Sequence, residues 1–397
     1  MKKKLLAVLM VAAMTVATLA GCGKSSADGA AASSDGAAAD SGDVIKIGVF
    51  EPLTGENGGG GSQEVDGIKY ANQVYPEVLG KKIELVVVDN KSDKGEATTA
   101  ATRLVEQEGV VAVLGSYGSG VSIAAGDIFK NAKVPAMGCS CTNPMVTQGN
   151  DYYFRTCFLD PFQGTVMANY CTQQGFTKAA VVYQNGDDYS TGLANFFKTA
   201  FTEAGGEIVN EGVIQTNDSD YNSILTNIKS SGAEVIFAPS SIQVAGAFIK
   251  QARALGIDAL ICAGDTWENE AIIDVAGEAA NGIVLSTFYD ENDASASDEA
   301  KKFVPGFKEY LGGDDNIIPA VSALGYDAYC VVRDAIERAG STDGDAIRQA
   351  LVDTKEFVGV TGAIKFDENG DADKSVAIVK TVENGEFKYL DTVEVAK

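Results

Sequence analysis

Short apolar runs rich in β-branched residues alternate along most of this chain with longer stretches whose apolar positions recur at helical spacing. The first part of this pattern predicts strands at Val44–Phe50, Ile83–Asp89, Val110–Gly115 and Val134–Gly138. The pattern then restarts and predicts strands at Ala179–Tyr183, Ile208–Val213, Val235–Ala238, Leu260–Ala263 and Ile283–Thr287. Helices are predicted between them, for example at Glu96–Gln107, Leu193–Ala204 and Val244–Leu255. Strands that alternate with helices are typical of βαβ units around parallel sheets, so we predict an α/β fold with two similar halves.

The break between the halves is predicted near Phe158–Gln163, where Asp160-Pro161 interrupts the pattern. A helix-rich portion follows Tyr289, and strand character returns at Ala363–Phe366 and Val376–Val393. A chain of 397 residues exceeds what one hydrophobic core usually supports, so two domains are expected.

The N-terminus has the features of a secretory signal rather than of a membrane span. Basic residues at 2–4 precede the apolar stretch Leu5–Ala20, and small residues come before Cys22. The tetrapeptide Leu-Ala-Gly-Cys ending at Cys22 resembles the bacterial lipoprotein signal, in which the cysteine is lipidated on its thiol. An ordinary signal with a chance cysteine is the alternative. We therefore predict a signal peptide over 1–21, then a lipidated Cys22 and a flexible linker of small and polar residues over 22–43.

Charge and cysteine content exclude several classes of partner and site. The formal net charge of −24 makes nucleic acid an unfavourable partner, and it makes membrane attachment depend on the lipid at Cys22 rather than on a basic surface. Six cysteines follow Cys22 at irregular spacings, and we favour free thiols over disulfides in domains of this size. Cys139-Ser140-Cys141 suggests a metal pair, but the chain has no histidine, so no metal is predicted.

Four consecutive glycines, Gly58–Gly61, follow the first predicted strand and allow three interpretations. A phosphate loop would need a lysine beside the last glycine, whereas Ser62 and Gln63 stand there. A flexible loop tip is the simplest interpretation. The third is that the bare backbone leaves one side of a binding cleft open or offers it N–H groups, with Gly60 as the candidate residue.

The residues that follow each predicted strand are the candidates for binding, because ligands of open parallel sheets bind beyond the carboxyl ends of the strands. In the first half these positions are rich in hydroxyl groups, as in Ser116-Tyr117-Gly118-Ser119 and Cys139-Ser140-Cys141-Thr142. In the second half they include Tyr189, Ser241 and Asp265. Neutral donors on one wall and a carboxylate on the other suit a small zwitterion.

Six segments of the chain, each weak alone, together resemble one known family. They are IKIGVFEPLTG, IELVVVDNKSDKGEATTAATRLV, FRTCFLDPFQGTVMANY, VVYQNGDDYSTG, IKQARALGI and GAIKFDENGD, and they occur in this order. They are similar to the extracytoplasmic solute-binding proteins of ABC importers, specifically the branched-chain amino-acid (leucine/isoleucine/valine) receptor family.

The resemblance implies the type I periplasmic-binding-protein fold, in which two Rossmann-like lobes with parallel-rich sheets are joined by a hinge of three chain crossings. Applied to this chain, it places an N-terminal lobe at 44–160 and 289–372. It places a C-terminal lobe at 161–288 and 373–397.

The resemblance also implies roles for the residues at the strand ends of the first lobe. Ser119 would bond the ligand carboxylate through its hydroxyl and N–H, near Tyr117. Cys141 and Thr142 would present backbone groups and a hydroxyl to the substituents of the ligand's α-carbon. Helix capping is the alternative role for Ser119 and Thr142.

From the second lobe, Tyr189 and Ser241 would face the ligand, and Asp265 would pair with its ammonium group. Tyr189 could instead be a packing residue, and Asp265 could be the N-cap of a helix that begins near Glu268.

The function implied by the resemblance is that of a membrane-tethered receptor outside the bacterial cell, with no enzymatic activity and no cofactor. It would capture an amino acid by lobe closure, act as a monomer and deliver the ligand to ABC permease subunits. A sensory receptor for a small amide or aromatic acid, with the same fold, is the alternative. An exported hydrolase is disfavoured, because the chain has no histidine to activate a nucleophile and no G-x-S-x-G elbow at a strand end.

Overall fold

Two separate sheets carry the alternating pattern of the sequence. The computed structural model describes residues 44–292, 297–314 and 316–394, so the predicted signal peptide, the linker and Cys22 lie outside the described residues. The strands, in chain order, are β1 (Val44–Glu51), β2 (Glu77–Val78), β3 (Lys81–Asp89), β4 (Ala112–Leu114), β5 (Ala136–Gly138), β6 (Tyr153–Arg155), β7 (Lys178–Gln184), β8 (Glu207–Ile214), β9 (Val235–Phe237), β10 (Leu260–Ala263), β11 (Val284–Thr287), β12 (Phe357–Gly359), β13 (Gly362–Ile364), β14 (Val376–Glu383) and β15 (Glu386–Glu394).

The helices lie between these strands and cover both sheets. In chain order they are α1 (Gly58–Val74), α2 (Lys94–Thr102), α3 (Ser119–Ala132), α4 (Asp160–Gln173), α5 (Asp188–Glu203), α6 (Asn222–Ser231), α7 (Ile242–Ala254), α8 (Glu270–Ala276), α9 (Asp298–Leu311), α10 (Ala320–Ala339) and α11 (Gly344–Val352). None of the described helices combines the length and the apolar character that crossing a membrane would require.

The first lobe is built on a six-stranded sheet in the order β2-β3-β1-β4-β5-β6. All neighbours in it are parallel except β2, which pairs antiparallel with β3. One core cluster packs α1, α9, α10 and α11 on this sheet, and a second cluster packs α2 and α3 on it. Burial on both sides explains why its strands are continuous apolar runs such as Ile47–Phe50.

The second lobe is built on a seven-stranded sheet in the order β15-β14-β11-β10-β9-β7-β8. Strands β7 to β11 are parallel, and the hairpin β14–β15 adds two antiparallel strands at one edge. Helices α4 and α5 belong to one of its core clusters, and α6, α7 and α8 to the other.

The chain passes three times between the two sheets: after β6, after β11 and before β14. This arrangement has the predicted α/β architecture of two parallel-rich lobes. The lobe boundaries at 160/161, 288/289 and 372/373 stay a prediction, because the crossing segments contact both lobes. Phe288, for example, packs against clusters of both.

The six cysteines between Cys139 and Cys330 are all buried and free. Burial raises the pKa of the Cys141 thiol to about 11, so this thiol is neutral in the fold. Each of the six belongs to a core cluster and acts there as a small apolar side chain.

Candidate functional site

A cavity lies between the two lobes, at the carboxyl ends of their strands. From the first lobe it is lined by Asn57, Tyr117, Gly118, Ser119 and Ser140. From the second lobe it is lined by Asp187, Tyr189, Ser241, Asp265 and Thr266. In this closed arrangement the cavity volume is only about 10 Å³, which is about one water molecule. The structure thus brings together most of the residues that the sequence predicts, namely Tyr117, Ser119, Tyr189, Ser241 and Asp265.

The N-terminus of α3 forms part of the first-lobe wall. Gly118, with a φ of 97°, turns the chain into the helix and leaves its first turn without a side-chain cap. The N–H groups of a first helical turn lack partners within the helix, and the helix dipole favours an anion there. The Ser119 hydroxyl accepts from the Asn143 N–H at 3.1 Å and does not cap α3. A carboxylate is therefore well suited to this end of the cavity.

Asp265 forms the opposite wall and is almost completely buried. Its Oδ1 accepts from Gln163 Nε2 at 2.7 Å and from the Tyr189 hydroxyl at 3.0 Å. Burial raises the pKa of the Asp265 carboxyl to about 6, although these two donors lower it. Neither donor carries a charge, so the carboxylate lacks a cation among its hydrogen-bond partners in the described residues. An ammonium group in the cavity would supply one.

Asp265 is not a helix cap, which was the alternative for it. It begins a short 3-10 turn, Asp265–Trp267, whose N-cap is Gly264. The next helix, α8, is capped by the side chain of Asn269, which accepts from the Ala271 N–H.

A buried ion-pair network holds the segment that follows Asp265. Lys380 on β14 contacts Glu268 at 2.6 Å and Asp290 at 3.0 Å, and the Thr287 hydroxyl also donates to Glu268. Glu268 raises the pKa of Asp265 through its charge. Lys380 compensates that charge, so the network allows two carboxylates to lie close together in a buried site.

Thr142 and Cys141 do not line the cavity, in contrast to their predicted roles. Arg155, fully buried, donates from Nη1 to the Cys141 carbonyl at 2.6 Å, so that carbonyl is already satisfied within the first lobe. The Cys141 side chain packs in the core cluster with Phe129. Thr142 is not a cap, because Asn143 caps the following turn. Ser140, which the sequence analysis did not select, lines the cavity instead.

The glycines at 58–61 are neither a loop tip nor an opening in the cleft. They form the first turn of α1, and all but Gly59 are buried. A Cβ on Gly60 would lie 2.4 Å from ring atoms of Tyr117, and one on Gly61 would lie 2.1 Å from the Pro52 carbonyl oxygen. The predicted open space beside Gly60 is therefore filled by the Tyr117 ring. The glycines allow α1 to begin in contact with the cavity wall.

Two buried carboxyl groups, Glu51 on β1 and Glu64 on α1, lie behind this wall. Glu51 Oε2 accepts from the Tyr117 N–H at 2.6 Å, and Glu64 Oε1 accepts from the Ser140 hydroxyl. The two carboxyl groups also lie close together, within 4.8 Å, and the charge of Glu64 adds to burial in raising the pKa of Glu51. Burial raises the pKa of Glu64 to about 7 and raises that of Glu51 well above its usual range. The pair therefore holds one proton near neutral pH and fixes two cavity-lining residues.

Direct hydrogen bonds join the two lobes around the cavity. Gln184 of the second lobe donates from Nε2 to Glu56 Oε2 at 2.7 Å. The Ile242 N–H donates to Asn57 Oδ1 at 3.2 Å. Such bonds belong to a closed arrangement, so entry of a ligand requires the lobes to separate.

A larger cavity lies at the chain crossings, lined by side chains that include Phe158, Phe288 and Lys374. The Lys374 ammonium group there already donates to the Thr361 carbonyl at 2.8 Å. The interlobe cavity places the N-terminus of α3 opposite the buried Asp265 carboxylate. We therefore take the interlobe cavity as the functional site.

Sequence reasoning missed Asn57, Gly118, Ser140, Asp187 and Thr266, all of which line the cavity. Each lies within three residues of a predicted site residue or of the glycine run, in a strand-end segment that the pattern had already selected. Nearness in sequence to a predicted site residue is the signal that could have identified them. Which side chain of each segment points into the cavity depends on the loop conformation, which the pattern does not determine.

Comparisons with known proteins agree with this architecture. A family model described as periplasmic binding protein matches residues 44–386. The Leu/Ile/Val-binding protein homolog 3 of Brucella melitensis is 31% identical over 333 residues, which cover 82% of this chain and 88% of that protein.

Two solved structures share the fold over nearly their whole length. The leucine binding protein LivK of Thermotoga maritima is 38% identical, with a TM-score of 0.85, and the match covers 88% of this chain and 99% of that one. The branched-chain amino acid transporter substrate binding protein LivJ of Streptococcus pneumoniae, in complex with isoleucine, is 31% identical, with a TM-score of 0.82. Its match covers 89% of this chain and 100% of that one. This chain therefore belongs to the periplasmic binding protein family and has the type I fold of two α/β lobes around a cleft.

Proposed function

We propose that this protein captures an amino acid in the interlobe cavity, outside the cell, and delivers it to the permease of an ABC transporter. The ligand carboxylate would bind at the N-terminus of α3, with Ser119. The ligand ammonium would pair with Asp265, beside Tyr189. Closure of the lobes would then report that the site is occupied.

The observation that carries this proposal is the buried Asp265 carboxylate across the cavity from an uncapped helix N-terminus. A buried carboxylate without a cation and an uncapped helix N-terminus each favour a partner of opposite charge. An α-amino acid carries an ammonium and a carboxylate group on the same Cα atom, so one ligand can provide a partner for each wall. The solved relatives are a leucine binding protein and a protein in complex with isoleucine, and both support an amino acid as the ligand.

Thermal-shift screening of the ligand-stripped protein with the twenty amino acids tests the proposal. A ligand at about 100 times its Kd stabilises the native state by about 2.7 kcal/mol, which raises Tm by several degrees. At least one amino acid should raise Tm in this way. A sharp unfolding transition that no amino acid shifts would contradict the proposal.

The proposal also includes the attachment and organisation predicted from the sequence. The protein would be exported, anchored to the cell membrane by lipid on Cys22, monomeric and without enzymatic activity. The lobes would be 44–160 with 289–372, and 161–288 with 373–397. Cys22→Ala should leave a precursor or a shed soluble form with unchanged ligand affinity, which cell fractionation and titration measure. A variant that stays membrane-bound after its signal is cut would contradict the lipid anchor.

A further inference from the structure

The cavity is lined by polar side chains to a degree that does not suit an aliphatic ligand. Among its ten lining residues none is aliphatic, and the only large apolar surfaces are the rings of Tyr117 and Tyr189. None of the ten is a lysine or arginine. The inference below rests on the proposed function, since it concerns the side chain of the captured amino acid.

The groups that would hold the amino-acid backbone are only part of this lining. Ser119 and the N-terminus of α3 account for the carboxylate, and Asp265 with Tyr189 accounts for the ammonium. Ser140 and Thr266 are already engaged, because Ser140 donates to Glu64 and Thr266 donates to the Ser240 carbonyl at 3.0 Å. The polar side chains of the lining that remain to contact the ligand's side chain are those of Asn57, Asp187 and Ser241.

Ser241 is the group that most clearly lacks a partner. It is 1% exposed, and its hydroxyl has no hydrogen-bond partner in the protein. Its own N–H is held by Gln184 Oε1 at 3.0 Å, which fixes the residue in place. A buried hydroxyl that lacks a partner is unfavourable, and a ligand group that bonds with it removes that penalty.

Asn57 lies beside Ser241, on the opposite lobe. Its Oδ1 accepts from the N–H of Ile242, the residue that follows Ser241, at 3.2 Å. This bond leaves the donating end of the Asn57 amide for another partner. Asp187 lines the same cavity, with one oxygen accepting from the Tyr189 N–H at 3.1 Å.

We propose that the ligand is a neutral amino acid whose side chain carries a hydroxyl or carboxamide group that bonds with Ser241 and Asn57. An acidic side chain would meet no lysine or arginine among the ten residues that line the cavity. A valine or leucine side chain would leave the Ser241 hydroxyl unpaired. Sites built to bond a polar ligand group discriminate strongly against analogues that lack it, because their buried polar groups then stay unpaired.

Calorimetric titration with two pairs of nearly isosteric amino acids tests this inference, since each pair changes polarity with little change of shape. Threonine is compared with valine, and asparagine with leucine. In at least one pair, the polar member should bind at least tenfold more tightly than its apolar partner. The Ser241→Ala variant should reduce that ratio at least threefold, whereas Ser230→Ala, which removes an exposed hydroxyl from α6, should leave it unchanged.

Each other outcome overturns the inference in a distinguishable way. If valine binds as tightly as threonine and leucine binds as tightly as asparagine, the inference is wrong and the proposed function stands. If an acidic or basic amino acid binds most tightly of all, the inference is likewise wrong and the proposed function stands. If no amino acid binds to the folded protein, the proposed function fails together with the inference.

Discussion

Asp265 is the residue on which the charge complementarity of the cavity depends. Its carboxylate is buried, and its hydrogen-bond partners Gln163 and Tyr189 are neutral donors. The 3-10 turn that follows β10 positions it. The negative charge of the nearby Glu268 is neutralised by its ion pair with Lys380. The site can therefore hold the Asp265 charge ready for a cationic group.

Replacement of Asp265 by asparagine should weaken amino-acid binding by about 2–5 kcal/mol, which is the usual loss when one partner of a buried charge pair is removed. This corresponds to a roughly thirtyfold to several-thousandfold increase in Kd, measured by calorimetry. Asp274→Asn, at an exposed position on α8, is the matched control and should bind as the parent does. Unchanged affinity in Asp265→Asn would show that the ligand ammonium is held elsewhere.

Binding should also depend on pH through Asp265. The ligand ammonium favours the ionised carboxylate, whose pKa in the free protein is raised to about 6 by burial. Affinity should therefore fall as the pH drops below about 6, by at most tenfold per pH unit for one proton. Asp265→Asn isolates this contribution, because Glu64 and Asp187 also have pKa values raised to about 7. Parallel pH profiles for parent and variant would contradict the assignment.

At the scale of elements, the contact between α1 and α10 sets the position of one cavity wall. A Cβ on Gly67 would lie 1.9 Å from the Ser322 carbonyl oxygen, and one on Gly325 would lie 2.4 Å from the Glu64 carbonyl oxygen. The two helices therefore approach closely through a glycine on each. Because Glu64 lies on α1, a shift of this helix also moves the carboxyl pair behind Tyr117 and Ser140.

Gly67→Ala should destabilise the fold, because the added methyl group must push α1 away from backbone atoms of α10. Overpacking of this kind costs about 1–3 kcal/mol, measured by denaturant unfolding. Lys69→Ala, on an exposed position of the same helix, is the control and should change stability by less than about 0.5 kcal/mol. Equal stability of parent and Gly67→Ala would mean that the helices have room to separate.

The carboxyl pair joins β1 to α1 and predicts a specific pH dependence of stability. Because the folded-state pKa values of Glu51 and Glu64 are raised, the native state binds more protons than the unfolded state between pH 4.5 and about 7. Stability should therefore fall as the pH rises through this window, by about 1.4 kcal/mol per pH unit for each proton. Glu64→Gln cannot ionise and should show a smaller fall in urea titrations. An unchanged slope would show that Glu64 is not protonated in the fold.

The elements show how far the sequence determines the structure. Apolar runs predicted nearly all strands of both sheets, because strands buried on both faces are continuous apolar segments. The pattern missed β2 and β6, which are only two and three residues long, and the glycine start of α1. Glycine is a poor helix former, and only the close contacts with Tyr117 and Pro52 explain its use there.

The site was predicted less completely than the sheets, for a related reason. Strand ends located the cavity correctly, since that rule depends only on sheet topology. The orientation of Cys141 depends on Arg155, which donates a hydrogen bond to the Cys141 carbonyl. The hydrophobic pattern around Cys141 does not reveal this contact. The Tyr117 ring likewise fills the space beside Gly60 through a contact between residues far apart in the chain.

At the scale of the whole molecule, closure depends on bonds of unequal strength between the lobes. Gln184 is buried, and its Nε2 donates across the cleft to Glu56. Within its own lobe it also bonds with Thr216 and with the Ser241 N–H. By contrast, the Lys94–Asp188 ion pair at 2.7 Å joins side chains that are 51% and 40% exposed. Exposed pairs of this kind contribute little, because solvent screens them.

Gln184→Ala should therefore open the closed state more readily than Lys94→Ala. Loss of about 1–2 kcal/mol of closure energy should speed ligand dissociation about five- to thirtyfold, measured by stopped-flow fluorescence of Trp267. Lys94→Ala should change the rate by less than about threefold. Equal effects of the two substitutions would show that the buried bonds do not hold the lobes together.

The central claim is that an amino acid binds between the lobes, with its carboxylate at α3 and its ammonium at Asp265. The most direct test is a crystal structure of the protein with the amino acid that raises Tm most. It should show the carboxylate within hydrogen-bond distance of the Ser119 N–H and the ammonium within about 3 Å of the Asp265 carboxylate. A ligand bound outside this cavity, or bound with its ammonium away from Asp265, would contradict the account.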